Sequence, residues 1–335
     1  METTLIDVHD DAVCARAYDV IIASKGHERP WHEPPSLAET LVEWRHVDEA
    51  ERMEIWGAHD GGELVGVATL WLPLTDNTTM TGFDVQVDPA HRGRGAGSAL
   101  VGRLVARARE AGRVTMVVDF LVPPASEGHG YRRFAERHGF HLSNTEIMRH
   151  LRLPVDEELL ARHGEHARPR WEGTYRLETH VGGVPEHLQE SLCAVMNQLA
   201  VDAPTGDIEF EEESLTPARY REYLEVARAQ GRVRLTTVAV HEDSGDVVAY
   251  TDLLLPSGAP GVAWQWGTLV HRDHRGRRLG MALKVENLRR LQADHPERRR
   301  IVTGNDDTNS WMVSINEDLG FRIVELCPAY QRSLA

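Results

Sequence analysis

Apolar positions in this chain follow two spacings, and the switches between them lay out the elements. Leu100, Val101, Leu104 and Val105 form one stripe at helical spacing, which predicts an amphipathic helix over Ser98–Ala111. Leu283, Leu288 and Leu291 do the same for Met281–Asp294. Short strands are expected at Leu5–Val8 and Tyr175–Thr179, and helical regions at Ala12–Ala23, Leu37–Val47, Glu186–Ala200 and Pro217–Gln230. Asp60-Gly61-Gly62 and Asp243-Ser244-Gly245-Asp246 read as hairpin turns between strands. Further strands, Thr81–Val87 and Ala263–Val270, run straight into the glycine-containing turns that open the two amphipathic helices. Strands in series ahead of a strand–helix–strand crossover imply an α+β fold with a mixed sheet.

The element order occurs twice. Gly62-Glu63-Leu64-Val65-Gly66 reads against Gly245-Asp246-Val247-Val248-Ala249 at an offset of 183, and the same offset relates His91-Arg92-Gly93-Arg94 to His274-Arg275-Gly276-Arg277. His138-Gly139-Phe140 matches Leu319-Gly320-Phe321 at an offset of 181. Two copies of one unit follow, an N-terminal domain over 1–160 and a C-terminal domain over 172–335. The polar, proline-ended stretch 161–170 lies between them.

Composition narrows the functions. With 335 residues, two domains are expected, each able to bury its own core. The net charge of −15 disfavours nucleic acid or an anionic membrane surface as partner and suits a cationic ligand, although acidity also serves solubility alone. No apolar run is long enough to span a membrane, and the first residues have neither a basic start nor an apolar stretch, so no signal peptide is expected. Cys14, Cys193 and Cys327 lie far apart without a CxxC, which fits a reducing cytoplasm and argues against a cysteine-based metal site; no metal is expected. Lys25 and Lys284 are the only lysines beside 35 arginines.

The strand–turn–helix junction carries the chemistry. A helix N-terminus leaves backbone N–H groups unpaired and bears positive partial charge. Glycines let a diphosphate reach those groups, and arginines add charge-assisted hydrogen bonds. Arg92-Gly93-Arg94-Gly95-Ala96-Gly97 has all of these features. No Lys-Ser/Thr follows, so it is not a P-loop, and the strand before it does not open a βαβ unit, so it is not a dinucleotide-binding fingerprint. The plain alternative is a glycine-rich turn with surface arginines, and the second copy, with its own strand and helix in place, weighs against it.

Val87 to Gly97 resembles motif A of the GNAT superfamily of acetyl-CoA-dependent N-acyltransferases, whose core is Arg/Gln-x-x-Gly-x-Gly/Ala; Val270 to Gly280 is a less regular second copy. The layout is similar to tandem GNAT proteins of actinobacterial type, a group that includes mycothiol synthase and antibiotic-modifying acetyltransferases. The resemblance implies two GNAT-like domains, each a mixed, mostly antiparallel, splayed sheet flanked by helices. It implies acetyl-CoA as acyl donor and direct attack by a neutral amine in a ternary complex, with backbone N–H of the splayed strand polarising the thioester carbonyl. The implied coenzyme-binding residues are Val85, Val87, Arg92, Gly93, Arg94, Gly95, Ala96 and Gly97 in the first copy. In the second they are Leu269, Val270, Arg275, Gly276, Arg277, Arg278, Leu279, Gly280 and Asn309.

A later helix in the family carries an asparagine for the pantetheine arm and a tyrosine that protonates the leaving thiolate. The second copy keeps the asparagine as Asn309 and has Asn316 at the tyrosine position; the first has Gly128 and Ala135. The C-terminal domain is therefore expected to be catalytic and the N-terminal one a binding or scaffolding copy. Tyr330 is a candidate replacement acid, and Asp252 is the first candidate for general base. Asp84 and Asp119 stand on the splaying strands of the first copy. The acidic stretch 202–213, with Asp202, Asp207 and Glu211, would border the acceptor site and draw in a cationic amine. The expected partner is a small-molecule or peptide amine, an antibiotic or other specialised metabolite favoured, with the protein a monomer or homodimer. A non-catalytic acetyl-CoA-sensing module and a protein N-terminal or lysine acetyltransferase remain as alternatives.

Overall fold

The computed structural model of the protein describes residues 1–198, 208, 211, 215–306 and 308–334. Among the described residues the chain forms two compact units: 1–145 with 208 and 326–334 make the first, and 146–198 with 211, 215–306 and 308–325 make the second. Each is α+β. No helix among the described residues is long and apolar enough to cross a membrane.

In the first unit, β1 (Glu2–Leu5), β2 (Glu51–Asp60), β3 (Glu63–Pro73) and β4 (Met80–Val87) form an antiparallel run. Then β5 (Thr115–Asp119) joins β4 in parallel. The strand that completes this sheet comes from the far end of the chain: the last part of β12 (Arg322–Ser333) lies antiparallel to β5, with Tyr330 opposite Val118. The sheet's side chains alternate between two layers, as a pleat requires. Ile55 and Val67 face α1 (Asp11–Gly26) and α2 (Leu37–Arg45), packing with Cys14, Ala17, Val20 and Trp44. Trp56, Ala68, Leu70 and Phe83 instead join Leu100, Val101, Leu104 and Val105 of α3 (Ala96–Glu110), Ala135 of α4 (Gly130–Arg137), and Tyr330. Each fully buried Leu or Val on that stripe contributes about 1.5–3 kcal/mol. The helix starts are set locally. Asp10 caps α1 through the amides of Ala12 and Val13, and Ser36 with Glu39 forms a reciprocal capping box on α2.

The second unit repeats the plan. Its sheet runs β7 (Tyr175–Val181), β8 (Val233–His241), β9 (Val247–Leu255) and β10 (Val262–Val270) antiparallel, then β11 (Arg300–Asp306) parallel to β10. Here the completing strand is β6 (His141–Arg152), which ends the first repeat in sequence and pairs antiparallel with β11 from Glu146 to Arg152. The helices are α5 (Glu157–Ala167), α6 (Glu186–Asn197), α7 (Pro217–Ala229), α8 (Leu279–Asp294) and α9 (Ser310–Asp318). The stretch 161–170, read from sequence as a linker, is mostly α5 and packs on α8. The repeats have thus traded their last strands.

One expectation follows from that trade. Residues 172–335 expressed alone lack the partner of β11, so they should fail to melt cooperatively, and supplying residues 1–171 in trans should restore a cooperative transition. Circular dichroism of the two preparations checks this; a sharp transition in the isolated fragment would be incompatible with the strand's structural role.

Candidate active site

The feature that opens each sheet is a parallel pair that lasts three residues. β4 is in register with β5 only from Met80–Thr115 to Gly82–Val117, and β10 with β11 only from Val262–Arg300 to Trp264–Val302. Beyond those points β4 and β10 continue alone on that side toward Val87 and Val270, β10 with a bulge between Gln265 and Thr268. Their antiparallel neighbours hold them: Gly66 pairs Val87, and Ala249 pairs Val270. Backbone N–H groups facing the parted side are available to a ligand.

The turns after these strands have matching geometry. Gly93 and Gly276 both sit at φ 78°, and the residues capping α3 and α8 are left-handed, Gly95 at φ 95° and Arg278 at φ 57°. Neither cap supplies a side-chain hydrogen bond, so the first amides of both helices are free to receive an anion. A Cβ built on Gly93, Gly95 or Gly276 would meet nothing within 4 Å, so the space before each helix is open. The residues thus fit the diphosphate of a coenzyme A thioester. Arg92 and Arg275 brace the turns from behind: their Nε atoms donate to the carbonyls of Val87 (3.3 Å) and Val270 (3.1 Å). Arg94 is exposed in front, as are Arg277 and Arg278, and Arg277 lies over the Tyr175 ring. Gly97 and Gly280 serve helix packing, since a Cβ would come to 3.1 Å from the Phe134 ring and 3.2 Å from Ile315. Ala96 and Leu279 are buried first-turn residues, Val85 and Val87 pack on the core below α3, and Leu269 and Val270 pack on the corresponding cores of the second unit.

On the opposite face of β4, Asp84 and Gln86 point into a cavity of about 130 Å³ enclosed by α1, α2, β2, β3 and β4. Tyr18, Ile21, Ile22, Trp44, Met53, Val67 and Trp71 supply the apolar wall, and Lys25, Glu43 and Asp84 supply charge. Lys25 Nζ lies 2.9 Å from Asp84 Oδ2, while Gln86 Nε2 donates to Asp84 Oδ1. Asp84 raises the Lys25 pKa against the desolvation that lowers it, and Asp119 and Glu43 add smaller contributions in the same direction as Asp84. Asp119, at the end of β5, keeps an exposed edge. Desolvation and Asp84 hold its carboxyl above the ordinary carboxylate range, with Lys25 and a hydrogen bond to Cys327 opposing.

The three residues singled out as catalytic are divided between the two units. Asp252 and Asn316 lie in the second unit, whereas Tyr330 belongs to the first through the traded β12. Asp252 is 2% exposed and fully engaged: Arg234 donates to Oδ2 from Nη2 (2.9 Å) and Nε (3.1 Å), and Thr236 Oγ1 donates to Oδ1. Tyr330 is 1% exposed, stacks on Phe120 and donates to Glu136 Oε1 at 3.2 Å. Burial pushes its phenol pKa up, with Arg132 opposing. Asn309 caps α9 by accepting from the Met312 amide. Asn316 is buried in a polar chain, accepting from Lys284 Nζ (3.2 Å) and donating to Asn305 Oδ1 (3.1 Å), which also accepts from Arg149 (3.0 Å). Asp202 and Asp207 lie outside the described residues, and Glu211 is exposed.

Sequence reasoning passed over Lys25 and Lys284, although their rarity beside 35 arginines was a usable signal. Arginine keeps its charge wherever it is placed, whereas lysine can be neutral when buried. Lys284 is such a case: burial pushes its pKa down from 10.5 to about 7.

The two-unit fold is that of a solved tandem GNAT protein. The Acetyltransferase (GNAT) family matches residues 19–140, so the chain carries a GNAT acetyltransferase domain in its first repeat. Donors in that family are acyl-CoA thioesters. A tandem GNAT protein from the clavulanic acid biosynthesis pathway, solved without AcCoA, superposes over 100% of this chain and 98% of its own with a TM-score of 0.79 and 24% identity. A GCN5-related N-acetyltransferase from Sphaerobacter thermophilus covers 99% of this chain and 95% of its own at TM-score 0.66 and 17% identity. In sequence, a mycothiol acetyltransferase from Beutenbergia cavernae is 39% identical over 67 residues, 19% of this chain and 23% of that protein. This chain therefore spans well under two thirds of that relative's length.

Two measurements probe the geometry. Arg278→Gly removes a left-handed non-glycine residue and should stabilise the protein by about 0.5–1 kcal/mol in thermal melts, after the entropy that glycine adds to the unfolded chain; a loss of stability would mean the turn is unstrained. For Lys284, the folded state binds fewer protons than the unfolded chain between pH 7 and 10.5. Its contribution to stability is thus least favourable below pH 7 and improves as pH rises through that window. Lys284→Met should raise the melting temperature at pH 7, by an increment that shrinks toward pH 10; an increment that stays constant with pH would show that Lys284 is charged in the folded protein.

Proposed function

We propose that this chain is an acetyl-CoA-dependent N-acetyltransferase that acts on the primary amine of a compact molecule, and that transfer takes place in the first unit rather than in the C-terminal copy that Asn309 favours. One observation carries this reading: Asp84 stands on the part of β4 that has separated from β5, at the wall of a cavity on one face, and the same strand leads through the turn into an uncapped helix that packs on its other face. The cradle of Gly93, Gly95 and Ala96, with the exposed Arg94, holds the diphosphate. Bound acetyl-CoA supplies the thioester carbonyl. The unpaired amides of β4 are aimed along the parted edge, where they stabilise negative charge developing on a carbonyl oxygen. Asp84 receives the acceptor's ammonium in place of Lys25 and takes its proton, and Asp119, with its raised pKa, is the second carboxylate within range. The donor thiolate is a good leaving group and takes its proton from water, so neither Ala135 nor Gly128 needs replacing.

The cavity favours a small acceptor. At about 130 Å³ it is well below the about 300–1,000 Å³ typical of sites for drug-sized molecules. Its aromatic and aliphatic wall suits an amine on an apolar stem, and the acidic surroundings suit a cation. The second unit retains a cradle, and its Asp252 is neutralised in place by Arg234, so it reads as a coenzyme-binding copy without turnover. Cys14, Cys193 and Cys327 are thiols outside any disulfide, in keeping with a cytoplasmic enzyme.

Coenzyme A release across a panel of primary amines tests the activity. Asp84→Asn should lower kcat by about 10²–10⁴-fold with the fold intact, the range removed with a general base. Asp252→Asn should instead leave Arg234 buried without its counter-charge, costing about 3–5 kcal/mol of stability while sparing the turnover of the folded fraction. Turnover lost with Asp252→Asn and kept with Asp84→Asn would move the chemistry to the second unit.

A further inference from the structure

Lys25 occupies the position that the proposed mechanism gives to a substrate. It sits in the last turn of α1, its side chain lines the first-unit cavity, and its ammonium lies 2.9 Å from the Asp84 carboxylate. Its side chain as a whole is 40% exposed, while its ammonium is desolvated against Asp84 at the cavity wall. Asp84, Asp119 and Glu43 are the carboxylates that act on it, and no other cation is among the causes that fix its charge. The cluster that should attract an acceptor's ammonium is already satisfied by an alkylammonium of the protein's own chain. A primary amine held beside a carboxylate on the parted part of β4 has a base at hand for attack on a thioester that reaches the same strand.

We infer that Lys25 is itself an acetyl acceptor, so that the enzyme acetylates its own acceptor site when no external amine displaces the lysine. The inference rests on the reading that acetyl transfer takes place in the first unit. In the step, the Lys25 ammonium gives a proton to Asp84, the freed nitrogen forms an amide bond to the acetyl carbon, and the carbon–sulfur bond breaks. Coenzyme A leaves as thiolate, the second proton that the nitrogen loses as the amide forms passes through water to that thiolate, and Asp84 returns its proton to solvent. No redox partner is needed. The product is a neutral amide, which ends the ion pair with Asp84 and removes the one positive charge among the cavity-lining side chains that holds that carboxylate. An external amine competes for the same carboxylate, so acceptor turnover and self-acetylation exclude one another in any single cycle.

The lysine census makes the test clean. Lys25 and Lys284 are the only lysines, and Lys284 is 1% exposed. The full-length protein is incubated with isotope-labelled acetyl-CoA and no amine, then digested and mapped by mass spectrometry. The label should appear on the Lys25 peptide and not on the Lys284 peptide. Its rate constant should stay the same over an about tenfold dilution of the protein, as an intramolecular step requires. Asp84→Asn should slow labelling at least about tenfold, and Lys25→Arg, which keeps the cation, should abolish it. Absence of label from Lys25, while an amine panel still yields Asp84-dependent coenzyme A release, overturns the inference and leaves the first-unit reading standing. Absence of both label and release overturns the two together. Label that is equal on Lys25 and Lys284, or that is unchanged by Asp84→Asn, is non-enzymatic acylation and overturns the inference as well.

Discussion

The whole arrangement depends on a parallel strand pair that is allowed to form only in part. A strand at the middle of a sheet normally spends its backbone hydrogen bonds on both neighbours, and leaving one side open is unfavourable unless something else takes those groups. Here β4 and β10 keep their antiparallel partner along their length and give up the parallel one after three residues. The opening creates polar edges, directs the chain into a turn ahead of a helix, and lets alternate side chains of one strand serve two purposes. Phe83, Val85 and Val87 enter the core under α3, while Asp84 and Gln86 enter a cavity.

Much of this was written in the sequence because it obeys short-range rules. The duplication, the helix following each turn and the α+β order follow from apolar spacing and glycine placement, and left-handed residues are found where the turn demands them. The strand at the N-terminus lies at Glu2–Leu5 rather than Leu5–Val8, because Asp7 and Asp10 turn the chain through their side chains before α1 begins. What was not readable depends on distance along the chain. Nothing local says that Tyr330 will pair across to Val118, or that Asp252 will meet Arg234 from the neighbouring strand. Periodicity likewise gives no sign of a cavity, which is defined by what α1 and α2 leave unfilled above β3 and β4.

The two copies have used their equivalent interiors differently. In the first, charged groups border open space, and a lysine with a raised pKa faces carboxylates. In the second, polar groups have closed on one another: Asp252 with Arg234 and Thr236, and Lys284 with Asn316, Asn305 and Arg149. A satisfied buried network is rigid and specific, whereas groups bordering a cavity retain bonding capacity for a ligand. Duplication permits this division, because one copy can be filled while the other keeps its chemistry.

The trade of terminal strands also bears on how the protein is made. Domains usually close one after another as the ribosome releases them. This chain cannot do so: the outer edge of β5 waits for the stretch around Ala329 to Ser333, which is made only after the strands of the second unit. Until β12 is made, the first half carries an exposed strand edge of the kind that invites pairing with other nascent chains. A chain that stops short of β12 would therefore be damaged in the half that was built first.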